Sequence, residues 1–482
     1  MTTILQGIRI WNTGEQITVR LPDGLDDSAV NSSHTSAEQL DYIRIIDASS
    51  WIIAPGLADP HVHFRDPGQT DKETMATGCA AAAAGGYTNV LIMPNTIPAM
   101  DGQSTNGANA LEDLEHRTGL PVRYSLCVSA SKDRSGIEAS DINDWKHTLA
   151  DGSSHFEHPV IAISDDGSAV SDVTLDTVIQ NALEADIPFI DHCEHHDTGV
   201  MNEGDISRKL GLPGIPAETE LRIVERDIKK ARTTGVHLHL QHVSTAAAFD
   251  AIRAAKAEGV PVTCETAPHY MALNDSAVAK YGTYAKMNPP LRSENDRLAT
   301  LEAICDGTVD MIATDHAPHT TEEKGNGALD AMLTAPNGII GLETAYPVVR
   351  QTLVETGYID DERLIELMSV EPNKLMGAEV FDISAYAASH HGEIDFSSPE
   401  IKKLATSHLS VTSDSRPHPD VVILAPHEQW TIDASNFVSK ARNTPFNGWN
   451  VTGRVVATIC NATTTFQRFN DYAHLASTPD VR

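Results

Sequence analysis

This 482-residue sequence predicts a (β/α)8 TIM-like barrel carrying a small β-sandwich domain formed from both chain ends. Three observations lead there. Through the middle of the chain, short β-branched runs alternate with Ala-rich or charged helical stretches. The runs end in His and Asp rather than in ordinary turn residues. Both flanks instead hold short alternating apolar stretches without helical spacing.

The strand runs are 51–63, 87–95, 122–130, 159–166, 187–193, 236–243, 260–266 and 309–316. Helical stretches are read at 72–85, 103–117, 138–150, 173–185, 218–234 and 245–258. The seventh connection, 267–308, is long and irregular, with a helix near 294–305, and another helix near 339–355 follows the eighth strand. Eight strand–helix units favour a closed barrel over an open doubly wound sheet. At the N-terminus ILQGIRIW, QITVRL and YIRIIDA read as strands. DVVILAP, QWTIDA, WNVTGRVVATICN and TTTFQ do so at the C-terminus. The expected division is 1–55 and 378–482 for the small β domain, with 56–377 as the barrel. The Ser-, Asp- and His-rich segments 22–41 and 384–418 read as surface loops or insertions.

Charge narrows the function. The formal net charge is −32, with 41% apolar residues to build a core. Such an excess of carboxylates repels phosphate backbones and anionic lipid, so neither nucleic acid nor a membrane surface is the expected partner. A site for an anionic substrate must bring its own positive charge. No run of about 18 apolar residues is present to span a membrane. No signal peptide is visible either. Cys79, Cys127, Cys193, Cys264, Cys305 and Cys460 are scattered without CxxC pairs, and read as reduced core thiols of a cytoplasmic protein.

The strand ends hold the chemistry. Strand 1 ends in His61-Val62-His63, strand 4 in Asp165-Asp166-Gly167, strand 5 in His192, strand 6 in His242 and strand 8 in Asp315-His316. Residues i and i+2 of a strand point the same way, so His61 and His63 can grip one ion. A (β/α)8 barrel gathers its C-terminal strand ends at one mouth. Four imidazoles and two carboxylates then meet, a donor set that suits Zn2+. Six ligands exceed one tetrahedral ion, which implies two ions bridged by a carboxylate and a hydroxide. No lysine lies between Asp151 and Arg208, so no carbamylated lysine can serve as the bridge. Asp166 is the favoured bridge and Asp165 the alternative. His237, His239, His195, His196 and the histidines of 384–418 receive no role, and His269 reads as a core or supporting residue.

DPHVHFRDPG (59–68), GGYTNVLIMPNTIP (85–98), ISDDG (163–167), DHCEH (191–195), HVST (242–245), ETAPHY (265–270), KMNPPLR (286–292), ATDHAPH (313–319) and SKARNTPFNGW (439–449) resemble the amidohydrolase superfamily. Most closely they resemble the bacterial class I dihydroorotases. The resemblance implies that His61, His63, Asp166 and Asp315 bind one zinc ion, and Asp166, His192 and His242 a second. It implies that Arg65 and Asn95 hold a substrate carboxylate, helped by Asn288 and His319, and that Asn337 and Gly338 line the ring pocket. That family often carries a bulkier apolar residue where Asn337 stands. The implied reaction is reversible cyclisation of N-carbamoyl-L-aspartate to L-dihydroorotate, in de novo pyrimidine synthesis. Homo-oligomerisation or association with aspartate transcarbamoylase accompanies the resemblance. The residue chemistry agrees with it. A hydroxide held between two cations is a strong nucleophile at neutral pH, and Asp315 is placed to shuttle its proton as general acid and base. The planar fork of Arg65 suits a carboxylate.

Overall fold

The computed structural model describes residues 2–21, 43–102, 109–146, 158–194, 199–406 and 418–477. Eight parallel strands follow one another around a barrel: β1 (Leu57–Val62), β2 (Tyr87–Ile92), β3 (Arg123–Ser129), β4 (Val160–Ser164), β5 (Phe189–His192), β6 (Leu238–Gln241), β7 (Val262–Thr266) and β8 (Met311–Ile312). Each hydrogen-bonds to the next. Val62 bridges His316 in parallel, and the His63 N–H donates to the His316 carbonyl at 2.9 Å, which closes the ring. Asp59 locks the seam from inside: its carboxylate accepts the Thr314 hydroxyl at 2.5 Å, the Thr314 N–H and the His61 N–H.

Strand parity sorts the side chains. Val90, Ile92, Leu126, Val128, Ile163, Phe189, Leu238 and Leu240 join the large cluster under the surrounding helices. Their alternates Leu91, Cys127, Ala162 and Ile190 form a separate cluster with Ala58 and Met93. A strand exposes successive residues to opposite faces, so this second set fills the barrel interior. The same parity turns His192, His239, Gln241 and Glu265 inward.

Helices Met75–Ala84, Leu175–Ala185, Glu218–Thr234, Ala246–Ala257 and Glu294–Cys305 occupy their expected places on the outside. Glu218–Thr234 and Glu294–Cys305 have the bounds read from sequence; Gly235 at φ 76° ends the first, and Ser293 caps the second through the Asp296 N–H. Other expectations need correction. The run 51–63 is two strands, because Ile52–Pro55 joins the small sheet and only Leu57–Val62 joins the barrel. The helix expected at 138–150 is reduced to Ile142–Trp145 within the described residues, and that at 103–117 to Ala110–Glu115. The helix expected at 339–355 begins only at Ala345 and ends in a π-turn, since Ile339 still bridges His316 at the barrel seam.

The chain ends build one nine-stranded mixed sheet. Strand Thr2–Ile10 pairs with Gln16–Leu21 on one edge, and on the other with Ile43–Asp47 and then Ile52–Pro55, so the sheet forks there. Long strands Val421–Thr431 and Asn450–Cys460 extend one arm. The segment 384–418 is not a plain surface loop. Within its described part lie helices Ile383–Ser389 and Pro399–Thr406, and a short strand, Glu393–Asp395, that pairs with Gln16–Leu21. Ile383, Ala387, Ile394, Phe396 and Ile401 are buried in the small-domain core. Its remainder and segment 22–41 lie outside the described residues. All six cysteines are free; five are buried, but Cys305 is exposed rather than in the core. Among the described residues no helix is long and apolar enough to cross a membrane.

Candidate metal centre and cavity

The barrel mouth gathers residues separated by 252 positions in sequence: His63 Nε2 lies 3.0 Å from Asp315 Oδ1. His61, His63 and Asp166 form one group of convergent ligand atoms, and Asp166, His192 and His242 a second. Asp166 belongs to both. Its Oδ1 lies 3.1 Å from His61 Nε2 and 3.6 Å from His192 Nδ1, and its Oδ2 3.3 Å from His63 Nε2. Asp315 Oδ1 is 3.5 Å from His61 Nε2. Asp165 points elsewhere. Its carboxylate accepts the Ser131 N–H at 2.9 Å and the hydroxyls of Ser131 and Ser129 at 2.6 and 3.0 Å. The neighbouring acids thus split between a serine cradle and the imidazole cluster.

The tautomers are set from behind. His61 Nδ1 lies 2.7 Å from Glu265 Oε1, and His63 Nδ1 2.8 Å from Asn95 Oδ1. Both partners accept, so each Nδ1 carries a proton and each Nε2 is turned toward the cluster, where a bound cation would take its lone pair. Glu265 is in turn 3.2 Å from His239 Nε2, and His239 Nδ1 is 2.9 Å from the Thr263 hydroxyl. Glu265→Gln is expected to weaken metal binding about 10- to 100-fold, the usual cost of losing such a supporting partner. Titration with a competing chelator reads that loss, and an unchanged affinity would contradict the role.

The donor set fits divalent cations on its own geometry. His242 Nε2 and His192 Nδ1 face one another at 2.7 Å, and Asp166 Oδ2 and His242 Nδ1 are buried without hydrogen-bond partners. Burial would raise the Asp166 pKa, yet the facing His61 and His63 hold it well below the usual range. Burial would likewise lower His61, but Asp166 and Glu265 hold it well above its ordinary value. Burial and the neighbouring His192 and His61 keep His242 well below its own. Arg65 at φ 59°, His242 at φ 35° and Asp315 at φ 48° also have left-handed backbone. Non-glycine residues pay for such conformations, and they concentrate where side chains must be aimed.

A cavity of about 270 Å³ opens above the cluster. His63, Arg65, Asn95, Asn288, His319, Asn337 and Gly338 all line it, with Asp166, His192, His242 and Asp315. His61 lies beneath and is fully buried. Several of the residues expected to contact substrate already have partners. Asn95 Oδ1 accepts from His63 Nδ1, which leaves the Asn95 amide nitrogen for substrate. Asn288 Nδ2 lies 3.2 Å from His192 Nε2, and His319 Nε2 donates to the Asn337 carbonyl at 2.7 Å. Arg65 is 9% exposed, and its guanidinium donates from Nε to the Pro318 carbonyl at 3.3 Å. Burial lowers its pKa only to about 10, so it stays charged at neutral pH and supplies the cation an acidic chain needs. Sequence reasoning missed Arg134, which lines the cavity and donates from Nη2 to the Asp166 carbonyl. It also gave Glu265 no role, although strand parity opposite Cys264 marks it as inward-facing.

The amidohydrolase family matches residues 52–380. The chain is 36% identical over 467 residues to a dihydroorotase of Lactiplantibacillus plantarum, covering 95% of this chain and 97% of that protein. It is 37% identical over 424 residues to a dihydroorotase of Acetivibrio thermocellus, covering 86% and 88% respectively. Among solved structures, the L-hydantoinase of Arthrobacter aurescens superposes with a TM-score of 0.71 at 23% identity, over 96% of both chains. The dihydropyrimidinase of Brevibacillus agri gives 0.70 at 20%, over 97% of this chain and 95% of that one. These two likenesses establish the barrel fold. The extended sequence identity goes further: this chain belongs to the amidohydrolase family and, within it, to the dihydroorotases.

Proposed function

We propose that this chain interconverts N-carbamoyl-L-aspartate and L-dihydroorotate, using two zinc ions held by His61, His63, Asp166, His192, His242 and Asp315. The observation that carries it is Asp166, whose two oxygens face both ligand groups while Arg65 lines the cavity directly above. Paired cations, when bound there, lower the pKa of water and polarise an amide carbonyl.

The chain's own groups supply the remaining steps. Arg65 neutralises the substrate carboxylate, and Asn95 and Asn288 offer amide N–H groups beside it. Asp315 takes the proton of the attacking water at its carboxylate and delivers it to the departing ring nitrogen. In the reverse direction the same carboxylate removes a proton from the carbamoyl nitrogen as the ring closes and water leaves. His319 and the backbone around Gly338 border the ring. Glu265 and Asn95 hold His61 and His63 in the required tautomers throughout.

The carboxylate sets the substrate class. Arg65→Met is expected to lower kcat/KM for L-dihydroorotate by about 10- to 100-fold, the scale of a lost charge-assisted hydrogen bond. Any slow hydrolysis of dihydrouracil, the same ring without a carboxylate, should be unaffected. Equal losses on both rings would contradict carboxylate recognition by Arg65. Turnover of hydantoin or allantoin without dihydroorotate would contradict the assignment as a whole.

Six unpaired cysteines support a reducing, cytoplasmic setting. Self-association, or pairing with aspartate transcarbamoylase, is part of the same reading. Sedimentation of the purified chain, alone and with that enzyme, reads both.

A further inference from the structure

The family match ends at residue 380, yet the barrel mouth is completed from beyond it. Asn443 is 1% exposed and sits between the two stretches that carry His319 and Gly338. Its Oδ1 accepts the His319 backbone N–H at 3.2 Å. Its Nδ2 donates to the carbonyls of Ala317 at 3.0 Å and Gly338 at 3.1 Å. Its own carbonyl accepts the Ile340 N–H at 3.1 Å. A side-chain amide offers one acceptor and two N–H bonds, and here each engages backbone of the pocket wall.

The Gly338 carbonyl is held a second time. Lys324 is fully buried, and its Nζ donates to the carbonyls of Lys286 at 3.1 Å, Pro336 at 2.9 Å and Gly338 at 2.9 Å. Three N–H bonds meet three carbonyls, the match the ammonium form provides. Gly338 itself has φ 114°, and a Cβ there would fall 2.6 Å from the Ala317 Cβ and 3.5 Å from His319 Nε2. The wall is therefore packed to the width of a glycine. The stretch that delivers Asn443 is equally fixed. Glu343 accepts the N–H groups of Val438 and Ser439 at 3.0 Å, and Phe446 is buried with Ile339 and Met332.

We infer that Asn443, supplied by the C-terminal part of the chain, is a positioning residue that sets the ring-binding wall of the cavity, with Lys324 as its partner on the Gly338 carbonyl. The inference deepens the dihydroorotase reading and rests on it. Asn443 belongs neither to the two ligand groups nor to the cavity lining. It acts through the places where His319 and Gly338 stand, so its removal falls on ring binding and spares the metal pair.

The probe is orotate, a flat ring bearing the same carboxylate. Its binding to the metal-loaded full chain is followed by calorimetry, alongside kcat and KM for L-dihydroorotate. Asn443→Ala is expected to weaken orotate binding and raise KM by about tenfold, the size of a lost buried hydrogen bond, with bound metal unchanged. Lys324→Met should do the same. The double variant should lose less than the product of the two losses, because both side chains hold one carbonyl. A merely structural role would lower the fraction of binding-competent protein and leave Kd and KM of the remainder alone. Folded, metal-loaded Asn443→Ala with unmoved Kd and KM overturns the inference. If that variant does not fold, Asn443→Asp decides in the same way, since it keeps Oδ1 for His319 and turns an oxygen on the two carbonyls. A wild-type chain that neither binds orotate nor turns over dihydroorotate overturns the dihydroorotase reading, and the inference with it. Active wild type with unmoved variants overturns the inference alone.

Discussion

Asp166→Ala is expected to strip the centre of its paired ions and reduce turnover to background. Both ligand groups converge on this one carboxylate. Without it, Asp315 at the rim is the carboxylate left facing His61 and His63 from the cluster side, since Glu265 and Glu194 sit on the other ring nitrogens of His61 and His192. Imidazoles alone can retain a single weakly held ion, but nothing remains to hold two cations together against their repulsion. Asp165→Ala should behave differently. That carboxylate satisfies Ser129 and Ser131, so its removal leaves buried donors unpaired and costs about 1–3 kcal/mol of stability. The ions should stay. Metal analysis of the two purified variants checks the pair, and two ions retained in Asp166→Ala but lost in Asp165→Ala would reverse the assignment.

Asp315→Asn is expected to lose turnover by about 10²- to 10⁴-fold, the range over which a positioned acid–base group contributes. The substitution is well chosen for the site. Asp315 has a left-handed backbone at φ 48°, which asparagine tolerates as readily as aspartate. The amide keeps one oxygen near His63 and His61, so metal should be lost at most in part. What disappears is the group that takes and returns a proton. Activity measured against bound metal separates the two effects, and near-normal turnover would remove Asp315 from the proposed role.

Much of this architecture was legible in the sequence because its determinants are local. Local residues mark two of the helix ends, with Gly235 just past Glu218–Thr234 and Ser293 just before Glu294–Cys305. Strand ends were read too long. His242 and Asp315 lie past the last paired residues of β6 and β8 and turn left-handed there, a conformation that composition does not announce. The polar residues of 384–418 hid Ile394, Phe396 and Ile401, too sparse for a periodic signal but sufficient to dock on the small sheet.

The candidate site divides in the same way. Histidines and aspartates at strand ends mark themselves by residue type. The choice between Asp165 and Asp166 does not, because it depends on which carboxylate finds Ser129 and Ser131. Glu265 looked like one polar residue in a strand, and only closure of the barrel brings it to His61, 204 positions away. Asn443 reaches the mouth from a different part of the chain, 124 positions beyond its partner His319. No local pattern encodes such a meeting.

The most direct single measurement is metal stoichiometry taken together with L-dihydroorotate turnover on the same preparation, before and after chelation. The expected result is two divalent ions per chain, loss of activity as they are removed, and recovery when zinc is returned. A chain that turns over dihydroorotate at full rate with its metal gone, or that holds two ions and leaves dihydroorotate untouched, would contradict a binuclear centre opening and closing this ring.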